Sequence, residues 1–166
     1  MRYGQIRAFD IANGEGVRTS LFVVGCTHAC PGCFNLEYQD FKAGKAWTDS
    51  DKELVLSHSS HPQVAGLSLL GGEPMQNTAG LIDLCKSFRE RFGREKTIWI
   101  YSGYTFEQIL KDADKTQLLS LCDVLVDGLF IEALKDLTLK FRGSSNQRLI
   151  DIQESLQNKK VVLYEP

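Results

Sequence analysis

The sequence lacks the features that mark membrane, secreted and nucleic-acid-binding proteins. No apolar run approaches the roughly 20 residues that a membrane-spanning helix needs. The first residues, Met1 to Gln5, have neither the apolar segment nor the small-residue cleavage site of a signal peptide. Lys and Arg total 19 against 21 Asp and Glu, so the net charge is -2. The chain thus lacks the excess of positive charge that is typical of nucleic-acid-binding proteins. We therefore expect a cytoplasmic protein without a nucleic-acid or membrane partner.

Cysteine is also scarce, and its distribution argues against a disulfide scaffold. The chain has five cysteines, an odd number, and three of them lie between positions 26 and 33. Secreted scaffolds carry paired cysteines, whereas clustered cysteines in a reducing compartment more often bind metals or perform redox chemistry. The 166 residues and the 43% hydrophobic content fit one globular domain that covers residues 1–166.

Strand-like and helix-like stretches alternate along the chain. Capping boxes formed by Thr48 with Asp51 and by Thr105 with Gln108 predict two helix starts. Apolar residues at helical spacing over residues 81–92 predict a further amphipathic helix. Short apolar runs predict strands at residues 19–24, 65–70, 97–101, 123–126 and 160–164.

This alternation implies right-handed crossovers between parallel strands. A complete eight-stranded β/α barrel usually needs about 250 residues, which this chain does not have. We therefore expect an α/β fold with mostly parallel strands, built as an incomplete TIM-like barrel or as an open sheet. Ligands bind at the carboxyl ends of the strands in both architectures. We expect one shared edge for the segments that follow predicted strands, namely the cysteine segment, Gly71-Gly72-Glu73-Pro74, Ser102-Gly103-Tyr104 and Asp127-Gly128.

The spacing of Cys26, Cys30 and Cys33 suits an iron–sulfur cluster, because thiolates in a short loop can reach one cluster together. Three cysteines would hold three irons of a cubane and leave the fourth iron open for a substrate. A zinc site is an alternative, with His28 as the nearest fourth ligand. Cys30-Pro31-Gly32-Cys33 also has the spacing of a thioredoxin-type dithiol, which normally opens a helix.

The other two cysteines have a structural interpretation. Cys85 lies in the apolar stripe of its predicted helix, and Cys122 follows a leucine-rich stretch. Free cysteine behaves as a small buried hydrophobe, so we expect both thiols in the core.

The cysteine spacing, followed by Gly71-Gly72-Glu73-Pro74, resembles the radical SAM superfamily. In that family the open iron of a [4Fe-4S] cluster binds the amino and carboxylate groups of S-adenosyl-L-methionine, and the Gly-Gly-Glu-Pro strand end contacts the methionine amino group. Glycines there let the backbone approach a ligand closely. The resemblance implies that the metal ligands are Cys26, Cys30 and Cys33. It implies a cofactor-binding set of Gly32, Cys33, Phe34, Gly71, Gly72 and Glu73.

One position departs from the superfamily pattern. The residue before the third cysteine is usually aromatic or apolar and lies against adenine, but here it is Gly32. The backbone at Gly32 and Cys33, together with the Phe34 ring, would then supply the adenine contacts.

Two further segments resemble the glycyl-radical activating enzymes. Residues 13–18 resemble the Gly-Pro-Gly-x-Arg element of that group, with Glu15 where proline is usual. The run from Arg142 to Gln147 resembles the subgroup that activates anaerobic ribonucleoside-triphosphate reductase. The resemblance covers nearly the whole chain, and the tail at residues 149–166 carries no motif.

The resemblance implies a radical SAM oxidoreductase whose partners are the large subunit of that reductase and an electron donor such as flavodoxin. Reductive cleavage of S-adenosyl-L-methionine would give a 5'-deoxyadenosyl radical that abstracts hydrogen from a glycine on the reductase. No catalytic side chain is implied beyond the cluster and the cofactor. Residues 13–18 would orient the cofactor or meet the substrate loop. The run from Arg142 to Gln147 would close over the site, contact the partner or form only a polar turn.

The short chain, with its motifs on one edge, suggests a gap in the barrel through which the partner's glycine loop enters. Three other functions stay open at this point. A pyruvate formate-lyase activator and a 7-carboxy-7-deazaguanine synthase are small radical SAM enzymes, and the Arg-Gly-Ser-Ser-Asn run disfavours both. A non-catalytic zinc-binding module is the third.

Overall fold

A computed structural model describes the whole chain, Met1–Pro166, as one sheet with helices on one of its faces. The strands are β1 (Arg2–Asp10), β2 (Val17–Val23), β3 (Lys45–Ala46), β4 (Val64–Gly71), β5 (Thr97–Tyr101), β6 (Val124–Asp127) and β7 (Arg148–Asp151). The helices are α1 (Asp49–Ser59), α2 (Thr78–Phe92), α3 (Phe106–Ile109), α4 (Ala113–Ser120) and α5 (Ile152–Asn158). Short 3-10 helices lie at Leu36–Tyr38, Pro74–Gln76 and Glu132–Leu134.

The sheet has seven strands in the order β3-β1-β2-β4-β5-β6-β7. The four central strands β2, β4, β5 and β6 are mutually parallel. β1 runs antiparallel to β2 and β3, and β7 runs antiparallel to β6, so five strands share one direction. The predicted α/β fold with mostly parallel strands is therefore confirmed. The sheet ends at β3 and β7 and does not close, so the TIM-like barrel is not confirmed, because three parallel strand pairs are too few to encircle an axis.

Local sequence explains where several helices begin and end. Both predicted capping boxes form: the Thr48 hydroxyl accepts from the Asp51 N–H, and the Thr105 hydroxyl accepts from the Gln108 N–H. Helix α2 ends at Gly93, whose φ of 59° lies in the left-handed region that glycine tolerates best. Four residues of the stripe predicted from residue 81 onward are buried, namely Leu81, Leu84, Cys85 and Phe88, and Phe92 at its end is partly buried.

The two faces of the sheet carry different side chains, since neighbours along a strand point to opposite faces. Leu69 and Ile100 are among the residues that pack under the helices in the main core. Trp99, Val124 and Val126 belong to a smaller cluster on the opposite face, which no helix covers. We call this second face the open face, and it forms the floor of the candidate site.

Two sequence-based predictions are wrong in detail. Residues 160–164 are not a strand, because only an isolated bridge between Leu163 and Ile150 pairs them with the sheet. The last strand is β7, which lies just upstream. The helix predicted from Thr105 onward is two short helices, because the Asp112 side chain accepts a hydrogen bond from the Lys115 N–H and starts α4 separately. The structure has no helix long and apolar enough to cross a membrane.

Candidate functional site

The segments that follow the parallel strands meet at one edge of the sheet, as predicted. They line a cavity of about 620 Å³ together with side chains of the open face. Cys26, Cys30 and Cys33 come from the loop after β2, and residues 71–73 come from the end of β4. Ser102 and Gly103 follow β5, and Gly128 follows β6.

The three clustered cysteines are free and half-buried in this cavity. Burial raises the pKa of the Cys26 and Cys30 thiols, while backbone hydrogen bonds from His28 and Phe130 oppose that shift. Cys33 accepts a hydrogen bond from the Asn35 N–H at 3.4 Å. Backbone N–H groups directed at sulfur favour the thiolate and tune iron–sulfur centres. The donor set and its hydrogen bonds therefore fit a cluster held by three thiolates.

Backbone contacts fix the cysteine loop against the end of β4. The Glu73 N–H donates to the Gly25 carbonyl at 2.8 Å, and the Gly72 N–H donates to the Val23 carbonyl at 2.9 Å. A Cβ atom on Gly72 would lie 2.6 Å from the Tyr38 carbonyl oxygen and 2.7 Å from that of Gly25. Glycine is required at position 72 because two other backbone segments occupy the space of a side chain.

The Glu73 carboxylate joins three segments of the site and is 1% exposed. Its Oε1 atom accepts from the Gly103 N–H at 2.7 Å and lies 2.8 Å from the His28 Nε2 atom. Its Oε2 atom accepts from the Met75 N–H at 2.8 Å and from the Ser102 hydroxyl at 2.9 Å. The carboxylate thus connects the cysteine loop, the end of β4 and the end of β5.

The structure bears on the zinc and dithiol alternatives. The Nε2 atom of His28 faces Glu73, and its ring packs on Tyr104 with centroids 4.7 Å apart. Pro31 and Gly32 form a turn, and no α-helix begins at Cys30 or Cys33 as a thioredoxin-type pair would require.

Most residues of the predicted cofactor-binding set share the cavity. Those that line it are Cys33, Phe34, Gly71, Gly72 and Glu73. Gly32 is the exception: it sits in a left-handed turn with φ of 72°, and a Cβ there would lie 2.8 Å from the Glu132 carboxyl carbon. The exposed Phe34 ring packs against Phe130, with ring centroids 4.8 Å apart.

The run from Arg142 to Gln147 forms one wall of the cavity. The Gln147 side-chain oxygen accepts from the Gly143 N–H at 2.9 Å and from the Ser144 N–H at 3.1 Å. Arg142 donates to the Gln147 carbonyl at 2.5 Å. The segment is thus a turn held by hydrogen bonds between its own residues. Arg142, Gly143 and Gln147 line the cavity directly.

The segment at residues 13–18, which was predicted to belong to the site, lies only partly in it. Asn13 lines the cavity. Arg18 is buried at the start of β2, where it donates to the Ser68 hydroxyl at 2.8 Å and to the Thr97 carbonyl at 2.8 Å. Burial lowers the pKa of the Arg18 guanidinium to about 10. The hydrogen bonds of Arg18 therefore connect β2 to β4 and β5 below the cavity.

Sequence reasoning missed several cavity residues on the open face. Phe22, Leu70 and Tyr101 line the cavity from three neighbouring parallel strands. Phe141 lines it from the loop that precedes β7. In the sequence these residues look like ordinary core positions, and the only signal is that each of the three strand residues lies near the carboxyl end of its strand.

Comparison with known proteins places this geometry in a family. The model of a 4Fe-4S single cluster domain matches residues 12–150. An anaerobic ribonucleoside-triphosphate reductase-activating protein from Escherichia coli K12 is 37% identical over 151 residues, which is 89% of this chain and 96% of that protein. Proteins of the same name from Pasteurella multocida and from Enterobacteria phage T4 are each 38% identical, covering 89% and 90% of this chain and 95% and 93% of the relatives. The chain belongs to the family of anaerobic ribonucleoside-triphosphate reductase-activating proteins.

Proposed function

We propose that this protein activates anaerobic ribonucleoside-triphosphate reductase by generating a glycyl radical on the large subunit of that enzyme. The observation that carries the proposal is the cavity in which three unbridged thiols face the Gly71-Gly72-Glu73 strand end. The named relatives, matched over nearly their whole length, supply the target. The cofactors proposed are a [4Fe-4S] cluster and S-adenosyl-L-methionine.

The chain's own residues would hold these groups. Cys26, Cys30 and Cys33 are the proposed cluster ligands, and the N–H group of Asn35 supports the last of them. Cys33 and Phe34, together with the strand end at residues 71–73, are the proposed contacts of S-adenosyl-L-methionine. For Gly32, which stands outside the cavity lining, the proposed contact is limited to its backbone.

When bound together, the cluster and S-adenosyl-L-methionine supply an electron-driven bond cleavage whose radical product removes hydrogen from glycine. The protein orients the reactants and excludes water. The apolar part of the cavity wall suits that task, because Phe22, Leu70, Phe130 and Phe141 all line it. A dry cavity also protects a radical from side reactions.

The open sheet favours a protein substrate over a small molecule. Leu137 lines the cavity and is 81% exposed, and Leu129, Ile131 and Leu134 in the same stretch of chain are between 41% and 43% exposed. Exposed apolar side chains of this kind suit contact with another protein. We propose that the partner's glycine loop enters the cavity past this stretch of chain. Flavodoxin is the proposed electron donor, and the cytoplasm is the proposed compartment because all five cysteines are free.

The proposal is tested by mixing anaerobically reconstituted protein with S-adenosyl-L-methionine, a reductant and the reductase. Electron paramagnetic resonance should then detect a glycyl radical on the large subunit. Cys33→Ala should lose both the visible absorbance of the cluster and the glycyl radical. Cys85→Ala is the matched control, because that thiol is 0% exposed in the main core and should not be needed for the cluster.

Two results would contradict the proposal. One is a wild-type protein that contains iron and sulfide but gives no radical on the reductase. The other is zinc without iron in protein prepared under strictly anaerobic conditions, which would favour a zinc-binding module.

A further inference from the structure

The Tyr101 hydroxyl is one of only two buried side-chain polar atoms without a hydrogen-bond partner in this structure. The other is the Asn146 Oδ1 atom, whose residue does not line the cavity. Tyr101 does line the cavity. A buried hydroxyl without a partner is costly, so such groups commonly mark a ligand or water that completes them.

Tyr101 belongs to an otherwise apolar layer of the open face. It is the last residue of β5, and strand register places Phe22 beside Leu70 and Leu70 next to Tyr101. Val126 continues the layer on β6, paired with Tyr101. The Tyr101 hydroxyl is thus the only polar side-chain group that these four residues offer to a ligand above them.

The hydroxyl acts as a hydrogen-bond donor. Burial raises the pKa of Tyr101 well above its ordinary value, so the phenol stays protonated at any pH at which the protein works. A neutral phenol can donate one hydrogen bond, and a buried donor that stays unpaired is costly, so an acceptor that enters the cavity is favoured there. A carbonyl or a carboxylate oxygen satisfies this requirement.

Tyr101 lies on a different strand from the one that leads into the cysteine loop. The cysteine loop follows β2, and β5 lies two strands away in the sheet. The loop itself extends toward β5 and β6, because His28 packs on Tyr104 and Cys30 accepts a hydrogen bond from the Phe130 backbone. A group bound at the Tyr101 hydroxyl would therefore share the cavity with the cluster ligands and lie against its floor on the open face.

We propose that the Tyr101 hydroxyl donates a hydrogen bond to a backbone carbonyl of the glycine-bearing segment of the partner. The inference rests on the proposed function. Glycine has no side chain to recognise, so its segment must be held through backbone groups, and a peptide carbonyl that leaves water to enter the cavity needs a donor. Tyr101 is thereby a positioning residue for the substrate peptide, and it is not a contact of S-adenosyl-L-methionine.

The wall beside Tyr101 has a feature that suits peptide entry. The hydroxyl is covered in the free chain, so a lining segment must move before a peptide reaches it. Phe141 lines the same cavity and has a left-handed φ of 63°, a conformation that bulky residues rarely adopt. Phe141 and Tyr101 both pack against the smaller cluster of the open face, so a change in the backbone at Phe141 as a peptide enters would release this conformation.

The test compares Tyr101→Phe with Tyr3→Phe. The control removes the hydroxyl of a tyrosine that is 8% exposed and packs in the main core under the helices. For Tyr101→Phe we expect kcat/KM for the reductase in glycyl-radical formation to fall about fivefold, as expected for one neutral hydrogen bond. Binding of S-adenosyl-L-methionine by equilibrium dialysis, and its cleavage without the reductase, should match wild type. Tyr101→Phe should unfold in urea at the wild-type midpoint or above it, whereas Tyr3→Phe should unfold earlier, because its hydroxyl donates to Asp51 at 2.8 Å.

The outcomes separate the possibilities. Unchanged kcat/KM for the reductase overturns the inference while leaving the proposed function intact. Weaker binding of S-adenosyl-L-methionine by Tyr101→Phe would assign the hydroxyl to that cofactor and also overturn the inference. A lower urea midpoint for Tyr101→Phe would show a structural role. A wild-type protein that forms no glycyl radical on the reductase refutes the proposed function, and the inference with it.

Discussion

At the scale of single residues, Glu73 illustrates how one buried carboxylate can organise a cavity. Its four hydrogen-bonding neighbours come from three separate segments of the chain, and each bond is between 2.7 and 2.9 Å. The residue was predicted as a contact of S-adenosyl-L-methionine, and that role stays a prediction. The structure adds a second role, which is to hold the strand ends around the cavity in the free chain.

This second role predicts a stability effect that does not depend on any ligand. Glu73→Ala should lower the free energy of unfolding of the cluster-free protein by about 3 kcal/mol, because it leaves buried donors without an acceptor. Urea denaturation monitored by circular dichroism measures the change. Glu95→Ala, at an exposed loop position, is the control and should change stability by less than about 0.5 kcal/mol. Equal stability of the two variants would mean that Glu73 serves only as a ligand contact.

The sequence predicted which segments meet in the cavity better than it predicted the shape of the cavity. The cysteines and the Gly71-Gly72-Glu73 strand end were expected at one edge because each follows a predicted parallel strand, whereas their roles toward a cluster and a cofactor rest on the family resemblance and stay predictions. Tyr101 could not be assigned, because a tyrosine at the end of an apolar strand usually belongs to the core. Its missing hydrogen-bond partner is visible only when the strands are assembled.

At the scale of elements, the parallel strands were predictable and the antiparallel ones were not. The strand at residues 97–101 was predicted with its observed bounds, because a short apolar run between turn residues is typical of a buried parallel strand. Strand β1 mixes buried, half-buried and exposed residues without a regular alternation, so its sequence gives a weak signal. The last strand was predicted too far along the chain. The apolar residues near Val162 and Tyr164 lie beside β7, but only a few backbone hydrogen bonds join them to it, so they do not form a strand themselves.

Two ion pairs of Arg148 connect three elements next to the cavity. Arg148 on β7 donates to both carboxylate oxygens of Asp127, at 2.6 and 3.0 Å, and also to Glu107 on α3 at 2.8 Å. The Asp127 side chain is 1% exposed and accepts from the Phe106 N–H at 2.8 Å. Its hydrogen bond raises the pKa of Arg148 well above the usual range. Because Asp127 directly precedes the cavity residue Gly128, the pair also fixes that part of the site.

Removal of the Arg148 side chain should therefore be costly. Arg148→Ala leaves Asp127 buried without its cation, and we expect the free energy of unfolding to fall by about 3 kcal/mol. The control is Arg91→Ala, which breaks a surface pair with Glu53 whose side chains are 41% and 63% exposed. That change should have a much smaller effect on stability, because the pair is screened by solvent. Urea unfolding at neutral pH compares the two variants, and similar losses would refute the assigned role of Arg148.

At the scale of the whole molecule, the tail closes the end of the open face that lies opposite the cavity. Trp99 is 1% exposed and has edge-on contacts with Phe141 and Tyr164, with ring centroids 5.2 and 5.5 Å away. The Tyr164 hydroxyl donates to Glu15, and the Tyr164 N–H donates to the Leu149 carbonyl at 2.8 Å. A tail without a recognisable motif thus covers a sheet face that an unclosed sheet would otherwise expose.

The contact of Tyr164 with Glu15 makes the contribution of the tail dependent on pH. Burial, together with the hydrogen bond to Glu15, raises the pKa of Tyr164 to about 12, from an ordinary value of 10.0. A raised folded-state pKa means that the stabilisation is complete below pH 10 and is lost as the pH rises toward 12. Below pH 10, Tyr164→Phe should be less stable than wild type by about 1 kcal/mol, which is the typical value of one hydrogen bond. The difference in urea midpoint should shrink steadily between pH 10 and 11.5, because the wild-type protein alone loses this contribution. A difference that stays constant over that range would show that the hydroxyl of Tyr164 is not held by Glu15 in solution.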